Sequence, residues 1–275
     1  MKLSFCSFSS GSSGNCYMIK TDETAILIDA GISAARILKG LERTDTPREQ
    51  VEALFLTHEH HDHVTGARVL LKKLKGAAVY ASPGTFRGTI MRDAMQRFSF
   101  ANDIGAERRV AIAPDEAIRV GGLTVRAFRT MHDSFEPYGY HISSGNSRIA
   151  ILTDTGIVTE EMLEYIEDAD VLVLESNHDT ELLRCCSYPY YLKQRILSER
   201  GHLSNNQAAD VLLRLFGRRD KKRVVLLAHL SGENNTPAIA ERTVLTRLAR
   251  ENRFTGSDLY MGVLLRDEAS LLFNL

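Results

Sequence analysis

Four of the nine histidines of this chain lie within six consecutive residues, in the segment HEHHDH. Imidazole and carboxylate groups are ligands for zinc, manganese and iron, and a single ion rarely takes more than three or four protein ligands. Five candidates in one short turn therefore indicate two metal ions. His58 and His60, two residues apart, are expected to reach one ion, and Asp62 with His63 the other, while His61 points away.

Three further candidates occur downstream, each at or just after the end of an apolar run. His132 follows LTVRAFRTM, Asp154 ends RIAILTD, and His229 follows RVVLLA. A histidine that stands alone after a strand is usually a hydrogen-bonded structural residue. Imidazoles and a carboxylate gathered in a buried turn are, by contrast, costly unless something pairs with them. The HxHxDH turn therefore predicts a metal centre, and these three residues are its expected additional ligands.

The ends of regular elements must position the ligands of such a centre. The run Leu54–Thr57 should form a strand that ends at His58, and a helical pattern begins at Val64. Buried strands are predicted at the runs LSFCSF, AILIDA, ALFLT, AAVYA, LTVRAF, RIAILTD, DVLVLES and RVVLLAH. Helices are predicted at Val64–Lys75, Glu160–Asp168, Ser204–Phe216 and Pro237–Glu251. This order of elements predicts an α/β fold with two sheets between outer helices.

The composition is that of an ordinary globular protein. The chain has 275 residues, 44% of them hydrophobic, and a formal net charge of −1, which suits one large domain or two small ones. Its N-terminal segment lacks the apolar core of a signal peptide, and no apolar run reaches the length of a membrane span. The cysteines match neither a disulfide framework nor a zinc motif. We therefore expect reduced thiols in a cytoplasmic protein that does not bind membranes.

Positive charge is concentrated in one part of the chain. Between Arg184 and Arg223 there are ten lysine and arginine residues against three acidic residues, a net charge of +7. Such a segment can follow the phosphates of a nucleic acid, with Tyr188, Tyr190 and Tyr191 available to stack on an end base. The simpler interpretation is a solvated surface for the cations and ordinary packing for the tyrosines.

The motifs together resemble the metallo-β-lactamase fold superfamily. HEHHDH is followed in order by TMHDS, ILTDTG and LLAHLS, and the resemblance covers essentially the whole chain. The segments SSGSSGN, LIDAG, ESNHD, QRILSERGHLSN and AHLSGENN narrow it to the YycJ or WalJ family of bacterial proteins, regarded as 5′-to-3′ exonucleases on duplex DNA. The resemblance implies an αββα sandwich of two mixed β-sheets. Because only 74 residues separate Asp154 from His229, we also expect a single domain over residues 1–275 without a β-CASP insertion.

Carried over to this sequence, the resemblance implies a dinuclear centre. It assigns one divalent ion to His58, His60 and His132, the other to Asp62, His63 and His229, and a bridging position to Asp154. The ligand set admits zinc, manganese or iron. Two such ions with a bridging hydroxide would leave a positive field suited to attack on a phosphodiester. Asp62 is expected also to orient the nucleophile.

Further residues are expected to face the substrate. The resemblance raises His178 and His202 as substrate-facing residues, with His202 a proton donor to the leaving group or a phosphate contact. Either histidine can instead be a structural hydrogen-bonding residue. Ser12, Ser13 and Asn15 lie in SSGSSGN, whose backbone N–H groups can cradle a phosphate. A plain hairpin turn is an equally good interpretation of that segment.

Two other classes of function share parts of this pattern. Small-molecule hydrolases of this fold, such as thioesterases, lactonases and cyclic phosphodiesterases, carry the same dinuclear motif. A small neutral substrate would not require the +7 segment or GHLSN, so these features favour DNA. A non-catalytic DNA-binding module would not need an intact ligand set. The sequence therefore predicts a hydrolase with two divalent metal ions as cofactors, acting as an exonuclease on DNA.

Overall fold

Two seven-stranded β-sheets pack face to face in the computed structural model, which describes residues 2–96, 104–219 and 221–275. The first sheet is formed by β1 (Ser4–Ser9), β2 (Cys16–Lys20), β3 (Ala25–Ile28), β4 (Val51–Phe55), β5 (Ala78–Ala81), β6 (Arg109–Ala111) and, near the end of the chain, β14 (Phe273–Asn274). The second is formed by β7 (Ala117–Val120), β8 (Leu123–Arg129), β9 (Tyr138–Ser144), β10 (Ser147–Leu152), β11 (Val171–Glu175), β12 (Arg223–Ala228) and β13 (Leu259–Val263).

Each sheet is half antiparallel and half parallel. In the first sheet, whose strand order is β14-β1-β2-β3-β4-β5-β6, the strands from β3 to β6 run parallel. In the second, whose order is β13-β12-β11-β10-β9-β8-β7, the strands from β10 to β13 run parallel. The carboxyl ends of neighbouring parallel strands share one edge of a sheet. The two sheets therefore each offer one such edge for converging side chains.

Helices cover the outer face of both sheets. They are α1 (Ala34–Arg43), α2 (His61–Val64), α3 (Ala67–Lys73), α4 (Pro83–Gln96), α5 (Glu160–Ile166), α6 (Thr180–Cys185), α7 (Tyr190–Leu197), α8 (Asn205–Arg218) and α9 (Pro237–Ala249). Ile37 of α1 and Leu70 of α3 pack in one outer core against the first sheet. Leu163 of α5 and Leu212 of α8 pack in another against the second. The predicted arrangement of two mixed sheets between outer helices is confirmed.

The continuous apolar runs follow from burial of both faces of each strand. On β4, Phe55 points into the core between the sheets, whereas Leu54 points into the outer core. On β12, Leu226 points into the core between the sheets, whereas Leu227 points into the outer core of the second sheet. Side chains alternate between the faces of a strand, so a strand covered on both sides is apolar at successive positions.

The helix predicted at Val64–Lys75 is divided in two. It begins at His61 rather than Val64, so half of the ligand motif is helical, and it breaks between α2 and α3. The break lies at Gly66, where a Cβ atom would stand 1.9 Å from the carbonyl oxygen of Ile32. The other three predicted helices are found within two residues of their predicted ends, and Ser204 caps α8 with Gln207 in a capping box. No helix in the described ranges is long and apolar enough to cross a bilayer.

Candidate metal centre

The predicted ligands converge where strands of the two sheets end. His58 follows β4 in the first sheet, and His132, Asp154 and His229 follow β8, β10 and β12 in the second. Asp154 (φ 55°) and His229 (φ 56°) leave their strands in the left-handed region of backbone conformation. That conformation is uncommon for residues other than glycine, although aspartate and histidine adopt it more often than most.

Two groups of ligand atoms lie side by side at this edge. His58, His60 and His132 form one group, with Nδ1 of His60 3.2 Å from Nε2 of His132. Asp62, His63 and His229 form the other. Within each group the ligand atoms lie within 4.8 Å of one another. The structure thus brings together both predicted sets of three.

Asp154 lies between the two groups. Its Oδ2 is 3.4 Å from Nε2 of His63, and its Oδ1 is 3.5 Å from Nε2 of His229. The same Oδ1 is 3.8 Å from Nε2 of His132, which belongs to the first group. One carboxylate therefore faces both groups, as a bridging ligand must.

The side chains fit a metal better than they fit each other. Nε2 of His58 and Oδ2 of Asp154 are buried and make no hydrogen bond of good geometry among the described residues, although Oδ2 of Asp154 lies 3.4 Å from Nε2 of His63. Burial, reinforced by the neighbouring charge of His63, lowers the pKa of His58 well below its usual value, so its ring is neutral and able to bind a metal. The geometry and the unpaired atoms together indicate divalent metal binding.

Protons occupy part of this cluster when no metal is bound. Burial alone would lower the pKa of His229, but the charge of Asp154 and hydrogen bonds to Asp62 and Glu175 raise it to about 10. Burial also opposes protonation of His63, yet Asp154, Asp29 and Asp62 raise its pKa well above the usual value. Positive charge is thus favoured at the second group, and metal binding there releases protons.

Four histidines have their Nδ1 atoms occupied, which aims Nε2 at the centre. Nδ1 of His58 lies 3.0 Å from Oγ1 of Thr57, and Nδ1 of His132 lies 3.0 Å from the carbonyl oxygen of Gly201. His63 and His229 use carboxylates in the same way, as described next. A partner on the second ring nitrogen fixes the tautomer and ring orientation of a metal ligand. His61 is exposed, and its Nδ1 lies 2.6 Å from Oγ1 of Thr65, so it points away as predicted.

Asp29 orients His63 and was missed from the sequence. It follows β3 with φ 61°, and its Oδ2 accepts from Nδ1 of His63 at 2.7 Å. Both carboxylate oxygens also accept from Thr57, one from its backbone N–H and one from its hydroxyl. Two residues later, Gly31 packs on the ligand turn, where a Cβ atom would lie 1.7 Å from the carbonyl oxygen of Asp62. The signal in the sequence was the aspartate of LIDAG, which directly follows an apolar run.

Glu175 is the second residue that sequence reasoning did not assign. It ends β11, is fully buried, and accepts through Oε1 from Nδ1 of His202 (2.7 Å) and Nδ1 of His229 (3.0 Å). Its Oε2 accepts from the backbone N–H groups of Thr155 and Leu203. Burial alone would raise the pKa of Glu175, but the charge and hydrogen bonds of the two histidines hold it at about 2. This carboxylate therefore links a ligand to His202.

His202 and His178 lie in different environments. The ring of His202 borders the centre, 4.9 Å from the ring of His132 and 5.2 Å from that of His229, and it is partly exposed. His178 is fully buried, and its backbone pairs with Ser204 in a bridge. Burial lowers the pKa of His178 to about 4. The burial of His178 therefore does not support a direct contact with substrate.

The SSGSSGN segment joins β1 to β2 and borders the second ligand group. The two strands are antiparallel, so the segment is a hairpin loop. Ser12 and Ser13 are exposed on it. Asn15 is buried, with Nδ2 3.2 Å from Nε2 of His63 and 3.3 Å from the carbonyl oxygen of Asp62. Asn15 thus supports the ligand turn, whereas the two serines are exposed to solvent.

Five of the ten cations of the basic segment form ion pairs with carboxylates of the described residues. Arg214 and Arg218 contact Glu160, Arg218 also contacts Glu167, and Lys221 contacts Asp170; Asp220 lies outside the described residues. Arg223 is buried. Two cations of the segment lie beside the centre. Arg195 pairs with Asp133, with Nη2 to Oδ1 3.0 Å, and Arg200 donates from Nε and Nη2 to the carbonyl oxygen of His132.

The fold and this ligand cluster define a metal-binding protein of the metallo-β-lactamase fold. A family profile described as a β-lactamase superfamily domain matches residues 24–230. The chain is 35% identical to Exodeoxyribonuclease WalJ of Streptococcus pneumoniae, over 90% of this chain and 89% of the relative. It is 34% identical to Exodeoxyribonuclease YycJ of Bacillus anthracis, over 89% of this chain and 88% of the relative. The metallo-β-lactamase fold protein YhfI from Bacillus subtilis superposes with a TM-score of 0.71 at 17% identity, over the whole of both chains. The chain belongs to the β-lactamase superfamily, in its WalJ and YycJ family.

Proposed function

We propose that this protein is a metal-dependent exonuclease that removes nucleotides from the 5′ end of duplex DNA. The observation that carries the proposal is the pair of ligand groups that share Asp154 at an open sheet edge. Relatives that match nine-tenths of the chain are named exodeoxyribonucleases, which supports DNA as the substrate. The 5′-to-3′ direction and the preference for duplex rest on the family resemblance.

In this proposal two divalent ions complete the site. The ions are zinc or manganese, and the ligand set also admits iron. His58, His60 and His132 would hold one ion, Asp62, His63 and His229 would hold the other, and Asp154 would be shared between them. When bound, the ions supply Lewis-acid chemistry, lowering the pKa of water and neutralising charge on phosphate oxygens. The proposal treats residues 1–275 as a single domain without a β-CASP insertion, consistent with the core that the two sheets share.

Asp62 and His202 act in hydrolysis in this proposal. In this proposal the Asp62 carboxylate, which is partly exposed and lies 3.2 Å from Nε2 of His229, also orients the attacking water. Glu175 holds Nδ1 of His202, which leaves Nε2 of that ring to face the opening and donate a proton to the departing oxygen. Both roles use atoms that border the two ligand groups.

DNA would approach along α7. Arg195 lies on this helix beside the centre, and Tyr191, one helical turn earlier, is 74% exposed. Tyr190 is 77% exposed on the same helix. Exposed aromatic rings next to a cation suit stacking on bases and contact with phosphates. In this proposal Ser12 and Ser13, which are exposed on the loop between β1 and β2, bind phosphate.

The test is digestion of DNA that has one labelled end. Metal-loaded protein is incubated with linear duplex labelled at a 5′ or a 3′ end, with a closed circle, and with a thioester substrate. Stepwise release from the 5′ end that spares the circle supports the proposal. An inert duplex with rapid thioester turnover refutes it and favours a small-molecule hydrolase.

A matched pair of variants separates the site from general destabilisation. Asp154→Ala should lose metal and digestion together. Asp45→Ala changes an exposed aspartate that has the same left-handed backbone conformation (φ 47°) away from the centre, and it should keep both properties.

A further inference from the structure

A cavity of about 340 Å³ opens beside the metal centre, and the proposed hydrolysis does not use it. Its lining consists of Glu59, Asp133, Ser134, Phe135 and Arg200. Oδ1 of Asp133 lies 3.4 Å from Nε2 of His132, and Arg200 donates to the carbonyl oxygen of that same histidine. The cavity therefore borders the first ligand group directly.

Phe135 is the aromatic side chain of this cavity, and it is held in place although it is exposed. Its side chain is 49% exposed. Its backbone N–H donates to Oε1 of Glu59 at 3.2 Å. Gly88 of α4 packs against the ring, since a Cβ atom there would lie 2.9 Å from Cδ2 of Phe135. A fixed, half-exposed ring costs little conformational entropy when a flat ligand stacks on it.

The charges that line the cavity are of both signs, so the lining does not require a charged ligand. Glu59 and Asp133 contribute carboxylates, and Arg200 contributes a guanidinium group. Both oxygens of Asp133 are already engaged by Arg195. Ser134 is one of the lining residues, and its buried hydroxyl has no hydrogen-bond partner among the described residues. It can therefore bond to the edge of a neutral polar ring.

We propose that this cavity receives the nucleobase of the terminal nucleotide, stacked on Phe135 with its edge towards the Ser134 hydroxyl. The inference rests on the proposed function and adds a subsite to it. Stacking on an aromatic ring tolerates every base, because each base has a π-face. A subsite of this kind suits an enzyme that must remove any nucleotide from an end, and it places the base beside the ligand group that would face the scissile phosphate.

The experiment measures binding of DNA ends that resist hydrolysis. Duplexes with phosphorothioate terminal linkages carry either a normal or an abasic terminal nucleotide, and their Kd for the metal-loaded protein is compared among variants. Phe135→Ala should weaken binding of the normal end about tenfold or more. It should leave binding of the abasic end unchanged, and Phe135→Trp should restore the normal end. The control Phe254→Ala removes an equally exposed ring (52%) outside the cavity and should have no effect.

The outcomes separate the subsite from the nuclease activity. Equal weakening of normal and abasic ends by Phe135→Ala, or no weakening, overturns the subsite even if wild-type protein digests DNA. A Phe135-dependent preference for normal ends supports the subsite even if unmodified duplex is not digested, which would refute only the exonuclease. Failure of wild-type protein to bind either end overturns both. Metal content and thermal unfolding of each variant establish that the fold is intact.

Discussion

Glu175→Gln tests whether a buried carboxylate controls the proton positions of two histidines. Four N–H groups converge on this side chain, two from imidazoles at Oε1 and two from the backbone at Oε2. A glutamine of the same shape offers one acceptor oxygen and one NH2 group. The backbone N–H groups of Thr155 and Leu203 cannot change, so the amide oxygen is expected to face them.

The NH2 group of the glutamine then faces the two imidazoles. Each ring must accept at Nδ1, which moves its proton to Nε2. In His229 that atom faces Asp62 and the second ligand group. A proton on Nε2 prevents the ring from binding a metal there. If the proton returns to Nδ1, the Nδ1–H group faces the glutamine NH2 group, and two donors oppose each other. Loss of an orienting partner of this kind typically costs about 10- to 100-fold in metal affinity, or about 1.4 to 2.7 kcal/mol. A buried hydrogen-bonding group that is left without a partner would also destabilise the fold by about 1–3 kcal/mol.

The assay is metal affinity by competition with a chelator, together with kcat at saturating metal. Asp170→Asn is the matched control, because Asp170 precedes the same strand at its other end and also accepts from a backbone N–H, at 2.7 Å from Arg148. The control should destabilise the fold without changing metal affinity. Wild-type metal affinity and kcat in Glu175→Gln would refute the tautomer argument, whereas equal losses in both variants would show a general effect of destabilisation.

Three further predictions follow from the site. His202→Ala should lower kcat about 10²- to 10⁴-fold at normal metal content, measured by single-turnover digestion, and a variant that loses metal instead would make His202 structural. Chelation should lower Tm by roughly 10 °C, as expected for a loss of about 4 kcal/mol when metal stands near 1,000 times its Kd; an unchanged Tm in calorimetry would contradict a centre coupled to folding. Arg200→Ala should reduce the slope of log DNA affinity against log salt concentration by about 0.9, whereas Arg214→Ala should leave the slope unchanged. Equal effects of the two variants would show that DNA binding depends on the overall charge of the segment and not on Arg200.

The cluster of candidate metal ligands could be predicted because its chemistry is local. HEHHDH gathers ligand types that have no common structural use in one turn, and the apolar runs before Asp154 and His229 show that each follows a strand. Eight of the fourteen described strands could be predicted as well, since strands covered on both faces are apolar throughout, whereas β2, β6, β7, β9, β13 and β14 were missed. Element ends were less predictable, and the helix after the motif begins at His61 instead of Val64.

The missed residues act through contacts between distant segments. Asp29 reaches His63 from β3, and Glu175 reaches His229 from β11, so neither pairing has a sequence spacing that reveals it. Helix α1 was also missed, although Ser33 caps it and its buried Ile37 and Leu41 recur at helical spacing. The sequence around these residues does not identify their partners, and only the fold shows which partner each one has.

The basic segment shows why a sum of charges does not locate a binding surface. Its +7 comes from sequence neighbours alone, yet Arg214 and Arg218 are paired with glutamates from α5 and the residue after it. Exposed pairs of this kind have little charge left to attract phosphate and contribute little to stability. Arg195 and Arg200 differ in position, because the groups they contact, Asp133 and the backbone of His132, adjoin the metal ligands. Arg195 is also paired with a carboxylate, so contact with DNA should depend mainly on Arg200, which donates to a backbone carbonyl beside the centre, and not on the total charge of the segment.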